Sequence, residues 1–201
     1  ISSALIERKD PISAWKFDAI TGITSSIEFR AISKEDPYIA VGKSSFYMNT
    51  KSGTFWERGR IGFGGTITFN GVGVGNSVHS PNVYAMAAGD FASLARAVAI
   101  GNSISTWTPI DLKEQRQIPA IGQVLTVDST YQGNFQDVIW EGVTNTWVAV
   151  GAAGSIFTAV GLTTAEAFSQ YSGTLQQLNA VTFGQSEFIA VGNGGVILAS
   201  N

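Results

Sequence analysis

Short apolar runs separated by glycine turns recur along the chain, and each is long enough for one strand. Three of them align without gaps and share an aromatic residue, a β-branched residue, Ala, Val and Gly, then four variable residues and an apolar residue or Tyr. These copies are residues 38–50, 147–159 and 188–200. A degraded fourth copy lies at residues 85–89, with Leu94 at the matching offset, and the alternative register at residues 97–101 stays open. Short β-rich runs bounded by Gly, Asn and Ser predict antiparallel hairpins.

Further strand signals flank each copy. Upstream lie four runs that begin with a large apolar residue, at residues 29–32, 69–72, 135–138 and 178–181. Downstream of three copies lies an aromatic residue: Trp56, Trp107 and Phe168. Each unit is therefore predicted to contain two strands, a glycine turn, a third strand, a turn and an aromatic fourth strand. Four-stranded antiparallel units of this kind stack radially, so the sequence predicts an all-β fold, a small β-propeller.

Four blades in one domain, residues 1–201, account for the repeats. No aromatic strand follows the last copy, but Trp15 precedes Phe29 by nearly the spacing that separates Trp56 from Phe69. We therefore expect residues 13–18 to pair with the strand containing residues 197–200, because such closure removes exposed sheet edges. The blades are expected at about residues 19–57, 58–112, 134–171 and 172–201 plus 1–18.

One interval between repeats is longer than the others and holds an insertion at about residues 111–133. The insertion contains Lys113, Glu114 and Arg116 and has no equivalent in the other blades. Insertions on a repeated scaffold map to loops or arms where partners bind. We expect this segment to project from the ring and to contact another chain.

The repeats carry a family resemblance. The stretch NTKSGTFW, residues 49–56, keeps Gly53 and Trp56 of the Asp-box but has Asn49 and Lys51 where that box has Ser and Asp. The pattern resembles the BNR-type, or Asp-box, repeats of sialidase-like and photosystem-assembly-factor-like β-propellers. Together with a composition rich in Gly, Ser, Thr and Ala, the chain resembles domains of bacteriophage tail and fibre proteins.

The composition narrows the possible partners. Charged residues make up only 13% of the chain and the net charge is −3, which gives no basic footprint for nucleic acid. The absence of cysteine excludes a disulfide framework and thiolate metal sites. No apolar run is long enough to cross a membrane, so membrane insertion is not expected. The chain begins at Ile1, which is consistent with a processed product or a fragment.

Few residues are suited to catalysis. His79 is the single histidine, and its flanking serines lie in the same loop, which does not make a triad. The GVGVG run at residues 71–75 lacks phosphate-loop spacing and fits a glycine-rich inner strand better. Asp137 falls where the other inner strands carry Ala31, Gly71 and Ala180. A lone acid there either binds a cation with channel carbonyls or accepts hydrogen bonds from backbone N–H groups, and the second use is favoured.

The resemblance to sialidases does not extend to their chemistry. Those enzymes require an arginine cluster and a Tyr–Glu pair, but the arginines here occupy unrelated repeat positions. They are Arg8, Arg30, Arg58, Arg60, Arg96 and Arg116. We therefore expect no enzyme activity, no catalytic residue, no cofactor and no metal.

Candidate binding residues lie in loops. Exposed aromatic residues beside Asn, Gln and Ser suit sugar binding, and Trp107 and Tyr131 have such neighbours. We expect them to act with a loop of blade two, residues 75–82, that contains Asn76, His79 and Asn82.

Together these observations favour a non-enzymatic structural or adhesion module of a phage virion, in a tail, fibre or surface protein. Its expected partners are other virion subunits, further copies of itself, and a host-surface receptor or glycan. Two alternatives stay open: a secreted, lectin-like carbohydrate-binding propeller, and a degenerate glycoside hydrolase-like propeller.

Overall fold

The structure, a computed structural model, describes residues 4–8, 16–20, 27–34, 36–51, 56–62, 67–77, 80–100, 103–118 and 123–200. The regular elements in these ranges are strands and three short 3-10 turns. Four antiparallel sheets form the blades of a four-bladed β-propeller, which confirms the predicted fold class.

In each blade the innermost strand is followed along the chain by strands that lie progressively further out, and among the described strands only blade three has additional strands that precede its innermost strand. Ahead of the blades lie β1 (Ala4–Arg8) and β2 (Lys16–Ile20). Blade one contains β3 (Phe29–Ile32), β4 (Tyr38–Gly42), β5 (Phe46–Thr50) and β6 (Glu57–Arg60). Blade two contains β7 (Phe69–Ser77), β8 (Ser80–Gly89), β9 (Leu94–Ile100) and two short strands that both pair with β9, β10 (Ser103–Ile104) and β11 (Thr108–Pro109).

Blade three is the largest sheet, with six strands. Two of its strands precede the others in the chain, β12 (Asp111–Ile118) and β13 (Gln123–Asp128). They are followed by β14 (Phe135–Glu141), β15 (Thr146–Gly151), β16 (Ile156–Val160) and β17 (Glu166–Gln170). Blade four contains β18 (Leu178–Gly184), β19 (Glu187–Gly192) and β20 (Ile197–Ala199).

The predicted ring closure by the N-terminal strand is wrong in its pairing. The segment expected beside β20 falls partly on β2, and β2 pairs antiparallel with β1, with Ala4 opposite Ile20. The sheet of blade four accordingly has three strands. The alternative pairing is local, and the entropy cost of closing a loop rises with its length. Residues 13–15 of the predicted segment lie outside the described residues.

The insertion at residues 111–133 forms a hairpin at the outer edge of blade three. Strand β12 pairs in parallel with β17, with Asp111 opposite Glu166 and Lys113 opposite Phe168. Strand β13 pairs antiparallel with β12 and lies at the end of the sheet. The insertion therefore widens a blade on the side away from the centre of the ring, and its contact with another chain stays a prediction.

In blades two and three the second strand is buried on both faces, because alternate side chains point toward different neighbouring blades. In β8, Ala85 and Ala87 pack in the core shared with blade one, whereas Met86 packs in the core shared with blade three. In β15, Trp147 faces blade two and Val148 faces blade four. This double burial explains the nearly continuous apolar sequences of these strands.

A glycine ends the second strand of every blade at a point where two backbones nearly touch. The four glycines are Gly42, Gly89, Gly151 and Gly192. A Cβ atom on any of them would lie less than 3.0 Å from the carbonyl oxygen of the residue that precedes the innermost strand. The same oxygen accepts a hydrogen bond from the residue after the glycine, as in Ala152 N–H to Asn134 O at 2.8 Å. Gly89, and not Gly101, is therefore the turn glycine of blade two.

The innermost strand bends immediately after this contact. In every blade a bulge follows its first residue, between Phe29 and Ala31, Phe69 and Gly71, Phe135 and Asp137, and Leu178 and Ala180. The residue after each bulge lies opposite the residue that precedes the blade's glycine. Ala31, Gly71, Asp137 and Ala180 therefore occupy one equivalent position.

We expect Gly151→Ala to lower the free energy of unfolding by about 1–3 kcal/mol, because the new methyl group must displace the Asn134 carbonyl. Gly184→Ala is the matched control, since a Cβ there meets nothing within 4 Å. Urea denaturation of both variants measures the difference. Equal stabilities of the two variants would show that the close contact is not a constraint on the fold.

Candidate functional site

The predicted binding loop of blade two is only partly described. His79 lies outside the described residues. Asn76 is exposed at the end of β7, and its carbonyl oxygen accepts a hydrogen bond from Trp140 Nε1 at 3.2 Å. Asn82 is half-buried in β8. The grouping of these three residues into one site stays a prediction.

The two aromatic residues predicted to be exposed are packing residues. Trp107 is 4% exposed and its ring meets that of Tyr47 edge to face at 5.6 Å. Tyr131 is half-buried, with its ring 5.1 Å from that of Phe135, and its hydroxyl donates to Asn134 O at 3.1 Å. Burial also raises the pKa of Tyr131. The expected exposure is therefore wrong for Trp107, whereas a binding role for the half-buried Tyr131 stays a prediction.

A narrow cavity of about 130 Å³ lies where the innermost strands meet. All four blades line it, through Ala31, Val72, Asp137 and Val181 among others. The glycine-rich run of β7 packs closely here, since a Cβ on Gly71 would lie 2.6 Å from the Cα of Asp137. The interpretation of that run as a crowded inner strand is confirmed.

Asp137 links two blades through its carboxylate. Its Oδ1 accepts a hydrogen bond from Val138 N–H at 2.9 Å, and its Oδ2 accepts one from Val181 N–H of blade four at 3.0 Å. Burial raises the pKa of Asp137, while the bonds from Val181 and Val138 and the charge of Lys34 act in the opposite direction. The predicted use of this acid, as an acceptor for backbone N–H groups, is confirmed.

A wider groove of about 540 Å³ separates blades three and four. Its floor is apolar and its rim is polar. The blade-three wall is formed by Val148, Val150, Ile156, Thr158 and Val160, and the blade-four wall by Phe188, Ala190 and Leu198. The rim carries Gln170, Tyr171, Ser172 and Ser200. None of the side chains that line the groove carries a charge at neutral pH.

Among the described residues, none of blade four takes the place that Trp107 has in blade two, and the groove lies open there. Between blades one and two, Trp107 fills the wedge beside Tyr47. Ile156 stands at the repeat position of Tyr47, five residues after the glycine. In the part of the chain that the structure describes, the sheet of blade four has three strands and none of them is an outer fourth strand against Ile156. The wedge is therefore filled in one interface and left as a groove in the other.

Polar groups at the rim are held in defined positions. The amide nitrogen of Gln170 donates to Thr158 Oγ1 at 2.8 Å, which fixes the position of the amide. Ser200 Oγ accepts from Phe188 N–H at 2.9 Å. Beside them the Tyr171 side chain is 97% exposed. An apolar floor, a bare aromatic ring and neutral hydrogen-bonding groups suit an uncharged, amphipathic ligand.

Sequence reasoning did not identify Tyr171. The sequence does indicate that Tyr171 is exposed. It directly follows an outer strand and precedes the Ser-Gly-Thr stretch at residues 172–174, where no packing position is expected. Trp147 and Phe157, which lie within strands, are buried instead.

Comparison of the chain with protein-family models and with curated proteins finds no match. Within the described ranges, no three His, Cys, Asp or Glu side chains are grouped so that they could hold a metal ion. The part of the chain that the structure describes also contains no helix long and apolar enough to cross a membrane.

We expect Asp137→Ala to lower the free energy of unfolding by about 1–3 kcal/mol, because the buried Val181 N–H loses its acceptor. Glu187→Ala, which removes an exposed carboxylate from blade four, is the control and should change little. Urea denaturation measures both variants.

The same variant carries a pH signature. The pKa of Asp137 is raised in the folded protein. The contribution of this carboxyl group to the free energy of unfolding is therefore complete below the ordinary carboxyl pKa of 3.8, and it declines as the pH rises through the folded pKa. The stability difference between wild type and Asp137→Ala should therefore shrink with rising pH in that window. A difference that grows instead would contradict the assigned direction.

Proposed function

We propose that the chain is a non-enzymatic structural and adhesion module of a phage virion, part of a tail, fibre or surface protein. In this role it binds neighbouring virion subunits and a neutral glycan on the host surface. Support comes from the charge-poor composition, from the resemblance of the repeats to Asp-box propellers, and from the uncharged groove between blades three and four.

The groove carries the adhesion part of the proposal. Its volume of about 540 Å³ falls in the range of small-ligand sites. A sugar ring has apolar C–H groups on one face and hydroxyls around its edge, which match Tyr171 and the rim of Gln170 and Ser200. Neutral hydrogen-bonding groups cost less to desolvate than charged groups, so this lining favours a neutral sugar over an acidic one.

A binding role fits these side chains better than hydrolysis does. Glycoside hydrolysis commonly uses two carboxylates that face one another across the substrate. The acid that faces the central cavity, Asp137, already accepts two backbone hydrogen bonds, and its neighbours in the cavity lining are apolar residues and Lys34.

The lectin-like alternative predicts equivalent pockets between successive blades. The wedge between blades one and two is filled by Trp107 and Tyr47, whereas the wedge between blades three and four is open. These two interfaces are therefore not equivalent, which supports the virion module over a free multivalent lectin.

A glycan array first identifies a neutral glycan that the wild type binds. Tyr171→Ala is then expected to weaken binding of that glycan by at least about fivefold, since loss of an aromatic contact with the ligand commonly costs more than about 1 kcal/mol. Leu175→Ala is the matched control, because Leu175 is 86% exposed and does not line the groove. Isothermal titration with the array ligand measures both. Equal losses, or binding only to acidic glycans, would contradict this site.

The virion assignment has its own test. Mass spectrometry of purified virus particles from the source culture should detect peptides of this chain in stoichiometric amounts. Detection only in the soluble fraction of the lysate would overturn the assignment and leave the glycan groove as a separate question.

A further inference from the structure

The outer edges of the blade sheets differ in how they are protected. In blade one the edge strand β6 has four residues, and Glu57, Arg58 and Arg60 make it highly charged. The edge strands of blades two and four are very short, with two residues in β10 and β11 and three in β20. Short length and charged side chains are the usual means by which an edge avoids pairing with another chain.

Blade three ends in an edge strand without these protections. Strand β13 has six residues, QVLTVD, and contains no proline and no basic side chain. Val124 is 59% exposed and Leu125 is 48% exposed. Among the described strands each pairs with β12 on one side only, so the other side presents a row of backbone donors and acceptors.

The single charge of β13 is neutralised within the hairpin. Asp128 Oδ1 accepts a hydrogen bond from Lys113 Nζ at 2.7 Å, and this bond lowers the pKa of Asp128. The carboxylate is 90% exposed, but its partner comes from the adjacent strand of the same sheet. The strand therefore brings no unpaired charge to its open edge, and an approaching identical strand meets no unpaired like charge.

The sequence of β13 is compatible with pairing to itself. Two identical antiparallel strands related by a two-fold axis perpendicular to the sheet place a central residue opposite its own copy. Centred on Thr126, this register places Thr126 opposite Thr126 and Leu125 opposite Val127 of the second copy. Thr–Thr pairs and aliphatic pairs are among the stabilising cross-strand combinations.

We propose that the open edge of β13 binds a second copy of this chain, strand β13 against strand β13, and joins two blade-three sheets into one continuous sheet. This inference rests on the assembly part of the proposed function, because it names the partner. It does not involve the groove between blades three and four, since no residue of β13 lines that groove.

The test changes the cross-strand pairs and measures the oligomeric state. Light scattering after size exclusion, across a dilution series, should show a dimer for the wild type. Leu125→Lys with Val127→Lys places lysines opposite one another twice and is expected to raise the dimer dissociation constant at least about tenfold. Leu125→Lys with Val127→Asp places opposite charges in the same positions and should restore the dimer.

Two controls make the outcome specific. Val143→Lys adds a lysine at a valine that is 91% exposed elsewhere and should leave the dimer intact. Circular dichroism should show native strand content for every variant, since the changes lie on an exposed edge. A wild type that stays monomeric, or a double-lysine variant that stays dimeric, would overturn the proposal. Neither result bears on glycan binding by the Tyr171 groove, so the two proposals fail separately.

Discussion

The close contact between a glycine and a carbonyl group is the constraint on which each blade depends. At Gly42, Gly89, Gly151 and Gly192 the chain passes so near the residue before the innermost strand that a side chain would displace that residue's carbonyl. The N–H group that follows each glycine donates to the same carbonyl, as at Asp90 and Asn193. The contact ties the turn between the second and third strands to the start of the first. Backbone approach of this kind tolerates no Cβ, so the glycine is required by space rather than by a left-handed dihedral angle.

What lies at the centre of the ring follows from that contact. Because the innermost strand starts at a fixed point and then bulges, the residue after the bulge occupies the same place in each blade. Three blades place Ala or Gly there, and blade three places Asp137. A larger side chain is accommodated because Gly71 of blade two allows β7 to approach β14 closely and because Val181 of blade four offers an N–H group. The carboxylate therefore connects blades three and four through its hydrogen bonds.

The repeat made the inner half of each blade predictable, and the outer half much less so. Glycine spacing and apolar periodicity identify the first three strands, most clearly in blade two, where packing on both faces of β8 requires apolar residues at nearly every position. The outer strands depend on which other segment competes for the edge. Lys16–Ile20 has the composition of an outer strand, yet the nearby run Ala4–Arg8 pairs with it at a lower entropic cost than the distant β20. Trp107 and Tyr131 were expected at the surface because their sequence neighbours are polar. Each packs instead against an aromatic ring that is distant in sequence or belongs to the next strand, and neighbouring residues alone do not predict such contacts.

The contrast between the inner and the outer half of each blade also indicates where function can vary in this fold. Substitutions near the glycine contact disturb a backbone that has no space to move, whereas the periphery already accepts two-residue strands in blade two and an inserted hairpin in blade three. Both surfaces proposed here lie at that periphery and involve blade three: the groove beside Tyr171 on one face, and the open edge of β13 at its outer limit. One blade can serve two partners because a sheet has faces and edges that use different groups. The groove offers side chains to a ligand, whereas the edge offers backbone N–H and carbonyl groups to another strand.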